Sequence, residues 1–425
     1  MTSAVTEFTQ PSSALTPRRL KIALLGYRSH PHVGGQGIYL RYLSRALHAL
    51  GHEVHVYSGP PYPELDDDIP LIKVPSLDLY NSPDHLRALR WRHLRSFTDT
   101  FEWWSMATGG FAEPYTFGRR AEKLLRNSDY DIIHDNQSLC WSLLTLQNRG
   151  HVVVSTVHHP IHRDRELAVN EAESWGMRLL VKRWHSFIRM QERVAQRLNY
   201  IHTVSSCSQA DITRFFGRTA ARTPVIFNGV DTAFFCPDST VAEDALTLLS
   251  TSSSDHPLKG LRHVLEACAA LRAEFPSLKL HIIGRLQRDG HSMRLIRKLG
   301  LEDLVQCHTG LSHDALVERY RRSSIVVCPS LYEGFGLPAA EAMACGRAVI
   351  SSDGGALPEV VGDAGVVVPK ADSHALAEAI RDLWHDTDRR HTLGALARSR
   401  AEHHFSWSRV ARDLSTYYHQ CIAER

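Results

Sequence analysis

Short apolar runs alternate with longer amphipathic segments along most of this chain. Residues 20–26 and 53–57 form two such runs, and between them Tyr39, Leu43 and Leu47 recur at helical spacing. A short apolar run predicts a buried strand, whereas recurrence at every third or fourth position predicts a helix. The predicted strands are 20–26, 53–57, 69–74, 132–135, 152–157, 200–204, 246–249, 278–283, 305–307, 325–329, 348–351 and 365–368.

This alternation predicts an α/β protein with a doubly wound, Rossmann-like parallel sheet in each half. A single hydrophobic core rarely grows beyond roughly 250–300 residues, so a chain of 425 residues predicts two domains. The strand pattern restarts after Asn228, and we place the boundary near Pro224. The predicted division is a disordered tail at 1–19, a first domain at 20–224, a second domain at 225–402 and a C-terminal helix at 403–425.

Composition narrows the class of protein. The 49 Lys and Arg residues nearly balance the 46 Asp and Glu residues, so nothing favours a nucleic-acid partner. None of the eight cysteines forms a Cys-x-x-Cys pair, which favours reduced thiols in the protein core over a disulfide framework or a zinc site. Residues 1–19 lack the apolar core of a targeting signal, and no run reaches the ~20 apolar residues of a membrane span. We therefore expect a cytoplasmic protein.

The stretch 333–341 carries the strongest chemical signal. It follows the apolar strand at 325–329 and contains Gly334 and Gly336, which let backbone approach a ligand closely, before a predicted helix. A helix start presents free N–H groups and a positive dipole end, which suit a phosphate. The flanking carboxylates of Glu333 and Glu341 repel phosphate but accept hydrogen bonds from hydroxyl groups. Phosphate between two hydroxyl-rich groups describes a nucleotide sugar.

This stretch resembles the Glu-x7-Glu signature of retaining glycosyltransferases of family 4, with Phe335, Leu337 and Pro338 inside it. The resemblance extends over nearly the whole chain from Lys21. It implies the two-domain GT-B fold, in which the second domain binds the donor, the first domain faces the acceptor, and the last helix crosses back onto the first domain. It also implies that Glu341 binds the ribose, Glu333 binds the transferred sugar, and backbone N–H groups of 334–337 hold the diphosphate.

Lys259 is the second candidate in this site. It follows the predicted strand at 246–249 and precedes a helix, so we expect it at the same sheet edge as the glutamate stretch. The cation suits a leaving diphosphate, and it resembles the lysine of the family's phosphate clamp. The family places an arginine five or six residues earlier, where this chain has Ser253 and Ser254. Arg285 or backbone N–H groups are the candidate substitutes for that missing cation.

Two further segments resemble family motifs in the first domain. Gly34 and Gly35 resemble the glycine loop near the donor phosphates, and His158, at the end of a predicted strand, matches the histidine that faces the transferred sugar. A dinucleotide-binding loop is the competing interpretation of the glycines. That interpretation is disfavoured because the loop does not match Gly-x-Gly-x-x-Gly and the second strand lacks a terminal acid at Tyr57.

Metal binding has weak support. His158, His159 and His162 lie close in sequence but lack an acidic ligand at helical spacing. The Asp-x-Asp strings at 66–68 and 129–131 are better interpreted as turn acids exposed to solvent than as ligands of a magnesium–diphosphate pair. No metal and no cofactor are therefore expected, and the nucleotide sugar is a substrate.

For two segments the sequence does not decide what they contact. The predicted helix at 180–198 has one apolar stripe and one basic face, which suits either a core-facing helix or peripheral contact with the inner membrane surface; we favour the core. The aromatic-rich, irregular segment at 91–117 either packs internally or stacks on an acceptor sugar.

The sequence therefore predicts a retaining, metal-independent transferase that moves a hexose from a nucleotide-diphosphate sugar to a hydroxyl of a sugar, glycan or lipid, such as a cell-envelope acceptor. Retention is implied by the resemblance alone. Two alternatives remain open: a synthase of sucrose-phosphate or trehalose type that accepts a sugar phosphate, and a non-catalytic sugar-nucleotide-binding protein, which the missing clamp arginine favours. The donor base, the hexose and the acceptor do not follow from the sequence.

Overall fold

This computed structural model describes residues 18–31, 35–82, 84, 87, 89–172, 174–252 and 255–425. Its strands are β1 Lys21–Gly26, β2 Glu53–Ser58, β3 Leu71–Lys73, β4 Ile132–Asn136, β5 Val153–Val157, β6 Tyr200–Thr203, β7 Asp244–Thr251, β8 Lys279–Ile283, β9 Val305–His308, β10 Ser323–Cys328, β11 Ala348–Ser352 and β12 Val366–Val368. Each strand that we predicted is present, with ends shifted by a few residues.

The strands alternate with helices, as doubly wound folds require. The helices are α1 Gly35–Ala49, α2 Phe97–Ala107, α3 Glu113–Leu125, α4 Trp141–Asn148, α5 His162–Glu171, α6 Trp175–Trp184, α7 Ile188–Arg197, α8 Ser206–Phe216, α9 Leu261–Leu271, α10 His291–Leu299, α11 His313–Arg322, α12 Leu337–Ala344, α13 Leu357–Val361, α14 Ser373–His385, α15 Thr387–Phe405 and α16 Trp407–Ala423.

Within the described residues, the strands form two six-stranded parallel sheets, ordered β3-β2-β1-β4-β5-β6 and β12-β11-β10-β7-β8-β9. When the strands of each sheet are numbered from 1 in chain order, both sheets have the order 3-2-1-4-5-6. The strand order reverses between β1 and β4 in the first sheet and between β7 and β10 in the second. In open parallel sheets, ligands bind outside the carboxyl ends of the strands at such a reversal. The predicted fold class, two Rossmann-like units, is confirmed.

Helices cover both faces of each sheet, which explains why the central strands are continuous apolar runs. All residues of β4, β5, β10 and β11 are buried. The last helix, α16, packs on the first sheet unit, where Trp407, Leu414 and Tyr418 join the core formed by β1 and α1. We refer below to the first domain, built on β1–β6, and the second domain, built on β7–β12.

Two segments differ from the prediction. The stretch 91–117 is largely helical, because it contains a 3₁₀ helix at Trp91–Arg95, α2 and the start of α3. The predicted helix at 180–198 is divided into α6, a 3₁₀ turn at His185–Phe187 and α7. Ile188 and Val194 of α7 are buried, but no residue of α6 is buried. The core-facing interpretation therefore holds for α7 and is wrong for α6.

All eight cysteines are free thiols. Five of them are buried, among them Cys328 in β10, whereas Cys307 is exposed on β9. The expectation of core thiols is therefore wrong for Cys307, because β9 is the edge strand of its sheet and has one uncovered side.

Candidate functional site

The loop between β10 and α12 forms the centre of the site. Gly336 has a φ of 100°, a left-handed conformation that favours glycine, and it precedes the first residue of α12. Pro338 occupies the second helical position, where an N–H group would have no partner within the helix. The first intrahelical bond runs from the Ala339 N–H to the Gly336 carbonyl. This geometry directs the N-terminus of α12 at the carboxyl edge of the second sheet.

Glu333 and Lys259 meet at this edge. Lys259 Nζ lies 2.7 Å from Glu333 Oε1, and the Ser330 hydroxyl donates to the same oxygen at 2.8 Å. Lys259 follows β7 and Glu333 follows β10, which are neighbours in the sheet. Both side chains are partly buried, so solvent screens their attraction less than it would at an open surface. Two residues that lie 74 positions apart thus form one ionic pair beside the start of α12.

Glu341 lies in the second turn of α12. It does not take part in the Lys259–Glu333 pair. Tyr320 donates its hydroxyl to Glu341 Oε2 at 2.8 Å. Burial raises the pKa of Glu341 to about 7, and the Tyr320 hydrogen bond partly opposes that rise. A carboxyl group with one fixed donor and a pKa near neutrality has spare acceptor capacity and is sensitive to a hydroxyl-rich ligand.

A cavity of about 490 Å³ opens beside Glu341. Both domains line it, because Ile38 and Tyr42 of α1 and Trp407 of α16 face a second-domain wall across it. That wall consists of Gly229, Val230, Asp231, Phe235, Gly310, Leu311, Ser312, His313, Leu316 and Leu337, in addition to Glu341. A cavity of this size, mostly apolar with a few polar groups, suits a nucleoside.

His158 follows β5 on the opposite side of the cleft. Its ring Nε2 donates to Asn136 Oδ1 at 2.8 Å, and the Asn136 amide donates to the Gln36 carbonyl at 3.3 Å. Burial lowers the pKa of His158 to about 3, with the charges of neighbouring histidines adding to the effect. The imidazole is therefore neutral at physiological pH, and Nδ1 is its acceptor nitrogen.

The remaining predicted site residues take different positions. Gly35 begins α1 and faces Leu337, since a Cβ on Gly35 would lie 4.0 Å from the Leu337 side chain. The Gly334 carbonyl accepts the Ser205 hydroxyl at 2.6 Å. The Phe335 ring is buried and packs on Phe405, so only the Phe335 backbone can face a ligand.

Arg285 follows β8 and is exposed. No ion pair involves it among the residues that the structure describes, which leaves its role as the substitute cation a prediction. Gly34, Ser253 and Ser254 lie outside the described residues.

Sequence reasoning missed the residues that hold the candidates in place. Tyr320 on Glu341, Ser330 on Glu333 and Asn136 on His158 each make one short hydrogen bond to a site residue. Tyr320 lies on α11 and reaches Glu341 because α11 packs against the sheet. The spacing of residues in the sequence therefore could not predict this contact. Ser330 was detectable, because it lies three residues before Glu333 at the end of the same strand.

The histidines and acids near the site are paired separately. His159 contacts Asp164 at 3.2 Å and His162 contacts Glu192 at 2.6 Å. Within the described ranges, no group of three or more His, Cys, Asp or Glu residues is placed to hold a metal ion. Of the two Asp-x-Asp strings, Asp66 binds Arg45 and Asp131 accepts from the Lys21 backbone at 2.8 Å.

Comparison with known proteins supplies the family. The model of Glycosyltransferase Family 4 matches residues 33–234, and the model of Glycosyl transferases group 1 matches residues 238–400. An MMP alpha-(1->4)-mannosyltransferase from Mycolicibacterium hassiacum is 43% identical over 95% of this chain and 99% of its own length. The chain belongs to glycosyltransferase family 4. This family 4 protein is a glycosyltransferase.

More distant relatives also match nearly the whole length of this chain. A D-inositol 3-phosphate glycosyltransferase from Salinispora tropica is 27% identical over 96% of this chain and 86% of its own length. Sucrose-phosphate synthase from Thermosynechococcus elongatus has a TM-score of 0.70 over 96% of this chain and all of its own, at 24% identity. That structural likeness confirms the GT-B fold. No helix in the described part of the chain has the length and apolarity that crossing a bilayer requires.

Proposed function

We propose that this family 4 enzyme transfers a mannosyl group from a nucleotide-diphosphate mannose to a carbohydrate hydroxyl, with retention of configuration and without a bound metal. The observation that carries the proposal is the grouping of Glu333, Lys259 and Glu341 around the start of α12, beside a cavity shared by both domains. The 43% identity to a mannosyltransferase supports mannose as the hexose.

The cavity beside Glu341 would hold the nucleoside. Ribose has two adjacent hydroxyls, and the Glu341 carboxylate accepts hydrogen bonds from both of them in a bidentate manner. Tyr320 fixes the carboxylate orientation before the donor arrives, so little side-chain entropy is lost on binding.

The diphosphate would lie between the N-terminus of α12 and Lys259. The free N–H groups and the dipole of α12 attract the anion, and Lys259 adds a full positive charge. In the free enzyme Lys259 binds Glu333 at 2.7 Å, so the arriving phosphate competes with a carboxylate for one ammonium group.

The transferred sugar would lie between Glu333 and His158. As the bond from C1 to the phosphate oxygen lengthens, negative charge grows on the phosphate and positive charge on the sugar ring. Lys259 and the α12 N–H groups stabilise the first charge. The acceptor oxygen attacks C1 from the face that the phosphate leaves, the new C1–O bond forms, and the acceptor proton passes to the departing phosphate oxygen. This front-face route retains configuration and requires no protein nucleophile.

A donor screen tests the proposal. The purified protein is incubated with UDP-, GDP- and ADP-linked mannose and glucose, and free sugar and transfer products are quantified with and without a metal chelator. We expect one mannose donor to be hydrolysed slowly, and NMR of a transfer product to show an α linkage. Binding without hydrolysis of any donor would instead support a sugar-nucleotide-binding protein. Preferential transfer to a hexose phosphate would support the synthase alternative.

A further inference from the structure

The second domain contains a cavity of about 430 Å³ at the edge of its sheet that lies away from the proposed donor site. Its lining includes Ser324 and Ala348, which lie at the amino ends of β10 and β11. Glu333 and Lys259 follow the carboxyl ends of β10 and β7, at the opposite edge of the same sheet. The cavity is therefore separate from the donor site, and its volume is within the range of about 300–1,000 Å³ that is typical of small-molecule sites.

The cavity has an excess of positive charge. Three arginines line it, Arg347, Arg390 and Arg398, together with one acidic residue, Glu243. Arg398 has its own partner, Glu402, at 2.5 Å. Arg347 and Arg390 lie 2.9 Å and 3.0 Å from Glu243, which is the only carboxylate that pairs with either of them in the described part of the chain. Two guanidinium groups thus share one carboxylate, and one positive charge is left unbalanced.

Both of these arginines also have an unused hydrogen-bond donor. Arg347 Nη1 donates to Glu243 and to the Arg321 carbonyl at 3.1 Å. Arg390 donates through Nη1 to the Leu383 carbonyl at 3.1 Å and through Nη2 to Glu243. The Nε atom of each arginine is buried and has no hydrogen-bond partner among the described residues. A buried donor without an acceptor is costly, so a ligand that supplies acceptor atoms is favoured here.

Two glycines bring the arginines together. Gly346 directly precedes Arg347 and has a φ of 69°, and Gly394 lies one turn after Arg390 on α15. A Cβ on Gly394 would clash with the Gly346 carbonyl, so α15 packs this closely only because a glycine is present. The two guanidinium side chains are 20% and 11% exposed. Their charges are therefore partly shielded from solvent, which strengthens their attraction for an anion.

This combination matches a phosphate group. A guanidinium group presents its N–H donors in a planar fork that fits the oxygens of phosphate, and phosphate has enough acceptor atoms for two such forks. A neutral polyol would leave the positive charge of the cavity unbalanced. The cavity is also larger than a phosphate group requires, since a water molecule takes up about 30 Å³ and a phosphate group the space of only a few waters. The remaining space suits the molecule that carries the phosphate.

We propose that this cavity is an oxyanion site that binds a phosphate group between Arg347 and Arg390, supplied by inorganic phosphate or by a phosphorylated sugar. The bound anion would accept from both Nε donors and would balance the charge that Glu243 leaves over. The site is distinct from the diphosphate position at the start of α12, and it does not depend on the proposed function.

Calorimetry tests the site with inorganic phosphate, mannose 6-phosphate and unphosphorylated mannose as probes. Arg347→Gln and Arg390→Gln each remove one guanidinium group and leave Glu243 paired with the other. We expect each substitution to weaken phosphate binding about ten- to a hundredfold. Arg262→Gln is the matched control, because it removes the same charge from a surface pair with Glu266 on α9 of the same domain. Its affinity for phosphate should equal that of the unaltered protein.

Glu243→Gln gives the test a direction that a structural ion pair does not share. Its carboxylate competes with the anion for both guanidinium groups, so removing its charge should tighten phosphate binding. If Glu243 served only to fasten α15 to β11, the substitution would lower the free energy of unfolding and leave the affinity for phosphate unchanged or lower, and that result overturns the site.

A crystallographic measurement needs no variant. Tungstate is a tetrahedral anion with strong anomalous scattering, and in crystals of the unaltered protein it should lie between Arg347 and Arg390. Tungstate found at the start of α12 alone, or phosphate binding that is lost in Lys259→Gln and kept in both arginine variants, would place the anion at the donor site and overturn the inference.

The remaining outcomes identify the source of the phosphate group. Tighter binding of mannose 6-phosphate than of inorganic phosphate, reduced in both arginine variants, assigns the site to a phosphorylated sugar. Equal affinities assign it to inorganic phosphate. Absence of phosphate binding in the unaltered protein, or mannose binding that weakens in the arginine variants as much as mannose 6-phosphate binding does, overturns the site. Donor hydrolysis tests the proposed function separately and needs no phosphate.

Discussion

At the residue scale, the ionisation of Glu341 should control donor binding. Burial raises the pKa of this carboxyl to about 7, so the group is mostly protonated at pH 6 and mostly ionised at pH 8. Only the carboxylate accepts from both ribose hydroxyls, and the diphosphate diester of the donor does not titrate in this range. Donor affinity should therefore rise by about tenfold from pH 6 to pH 8, as measured by calorimetry in the absence of acceptor.

Two substitutions test whether this pH dependence of donor affinity arises from Glu341. Glu341→Gln should abolish the dependence, because an amide does not titrate. Tyr320→Phe removes the hydrogen bond that lowers the pKa of Glu341, so the midpoint of the profile should move to higher pH. A profile that is unchanged in Glu341→Gln would assign the titration to another group.

Glu333 should affect turnover more than donor affinity. Its carboxylate binds Lys259 at 2.7 Å and Ser330 at 2.8 Å, which places it at the proposed position of the transferred sugar and away from the nucleoside cavity. Glu333→Gln keeps the shape and removes the charge, and it should lower kcat by about a hundredfold while donor Kd changes little. Steady-state kinetics with parallel calorimetry measure both quantities. A large loss of donor affinity with unchanged kcat would reverse the proposed roles of Glu333 and Glu341.

The sequence predicted the candidate site residues better than it predicted the residues that hydrogen-bond to them. Glu333 and Lys259 were predictable because each follows a strand, and strands of a parallel sheet end at one edge. Tyr320, in contrast, reaches Glu341 from a helix whose position depends on packing across the sheet. Trp407 lines the same cavity as Glu341 although it lies 66 residues farther along the chain, where the sequence predicted only a C-terminal helix.

At the element scale, the final helix α16 should stabilise the first domain. Trp407 at its start stacks on Tyr42 at 5.8 Å and contacts the Tyr39 ring edge-on at 5.6 Å. Trp407→Ala would leave a cavity in this core and should cost about 3–5 kcal/mol, measured as the free energy of unfolding in urea. Because Trp407 also lines the cavity beside Glu341, donor affinity should fall as well. Leu396→Ala on α15 is the exposed control, and a loss below about 1 kcal/mol for Trp407→Ala would show that α16 is not integral to this core.

Periodicity identified the strands reliably, and it failed for two helical segments of the first domain. The segment 91–117 carries many aromatic residues without a single clean stripe, yet most of it is helical because α2 and α3 pack against each other and Arg120 binds the buried Glu102. The apolar stripe of α6 resembled a core-facing pattern, but α6 has no buried residue. A pattern of apolar positions shows which face differs from the other, and it does not show what covers that face.

At the scale of the whole molecule, the two domains are already joined at the cleft by polar contacts. Across the interface, the Glu359 carboxylate accepts from the Ser206 N–H at 2.9 Å and the Cys207 N–H at 3.2 Å at the start of α8. Tyr332, next to Glu333, donates to Asp211 at 2.7 Å, and Arg163 binds the same carboxylate. Tyr332 and Arg163 also line a polar cavity of about 460 Å³ between the domains. These contacts join the two domains, in what we call the closed arrangement, through groups that lie outside the proposed donor site.

The closed arrangement should therefore exist before the donor binds. Small-angle scattering of the unaltered protein should show little change in the radius of gyration when donor is added. Tyr332→Phe removes the hydrogen bond to Asp211, and Glu359→Ala removes both bonds to the start of α8; together they should shift the equilibrium toward an open form by about tenfold per residue. The double variant should then have a larger radius without donor, contract when donor is added, and bind donor more weakly, because part of the binding energy is used to close the cleft. Asp303→Asn, which removes a pair with Arg272 inside the second domain, should leave the radius unchanged. If the double variant scatters as the unaltered protein does, other contacts hold the domains together, and the interface around Tyr332 and Glu359 is not what sets closure.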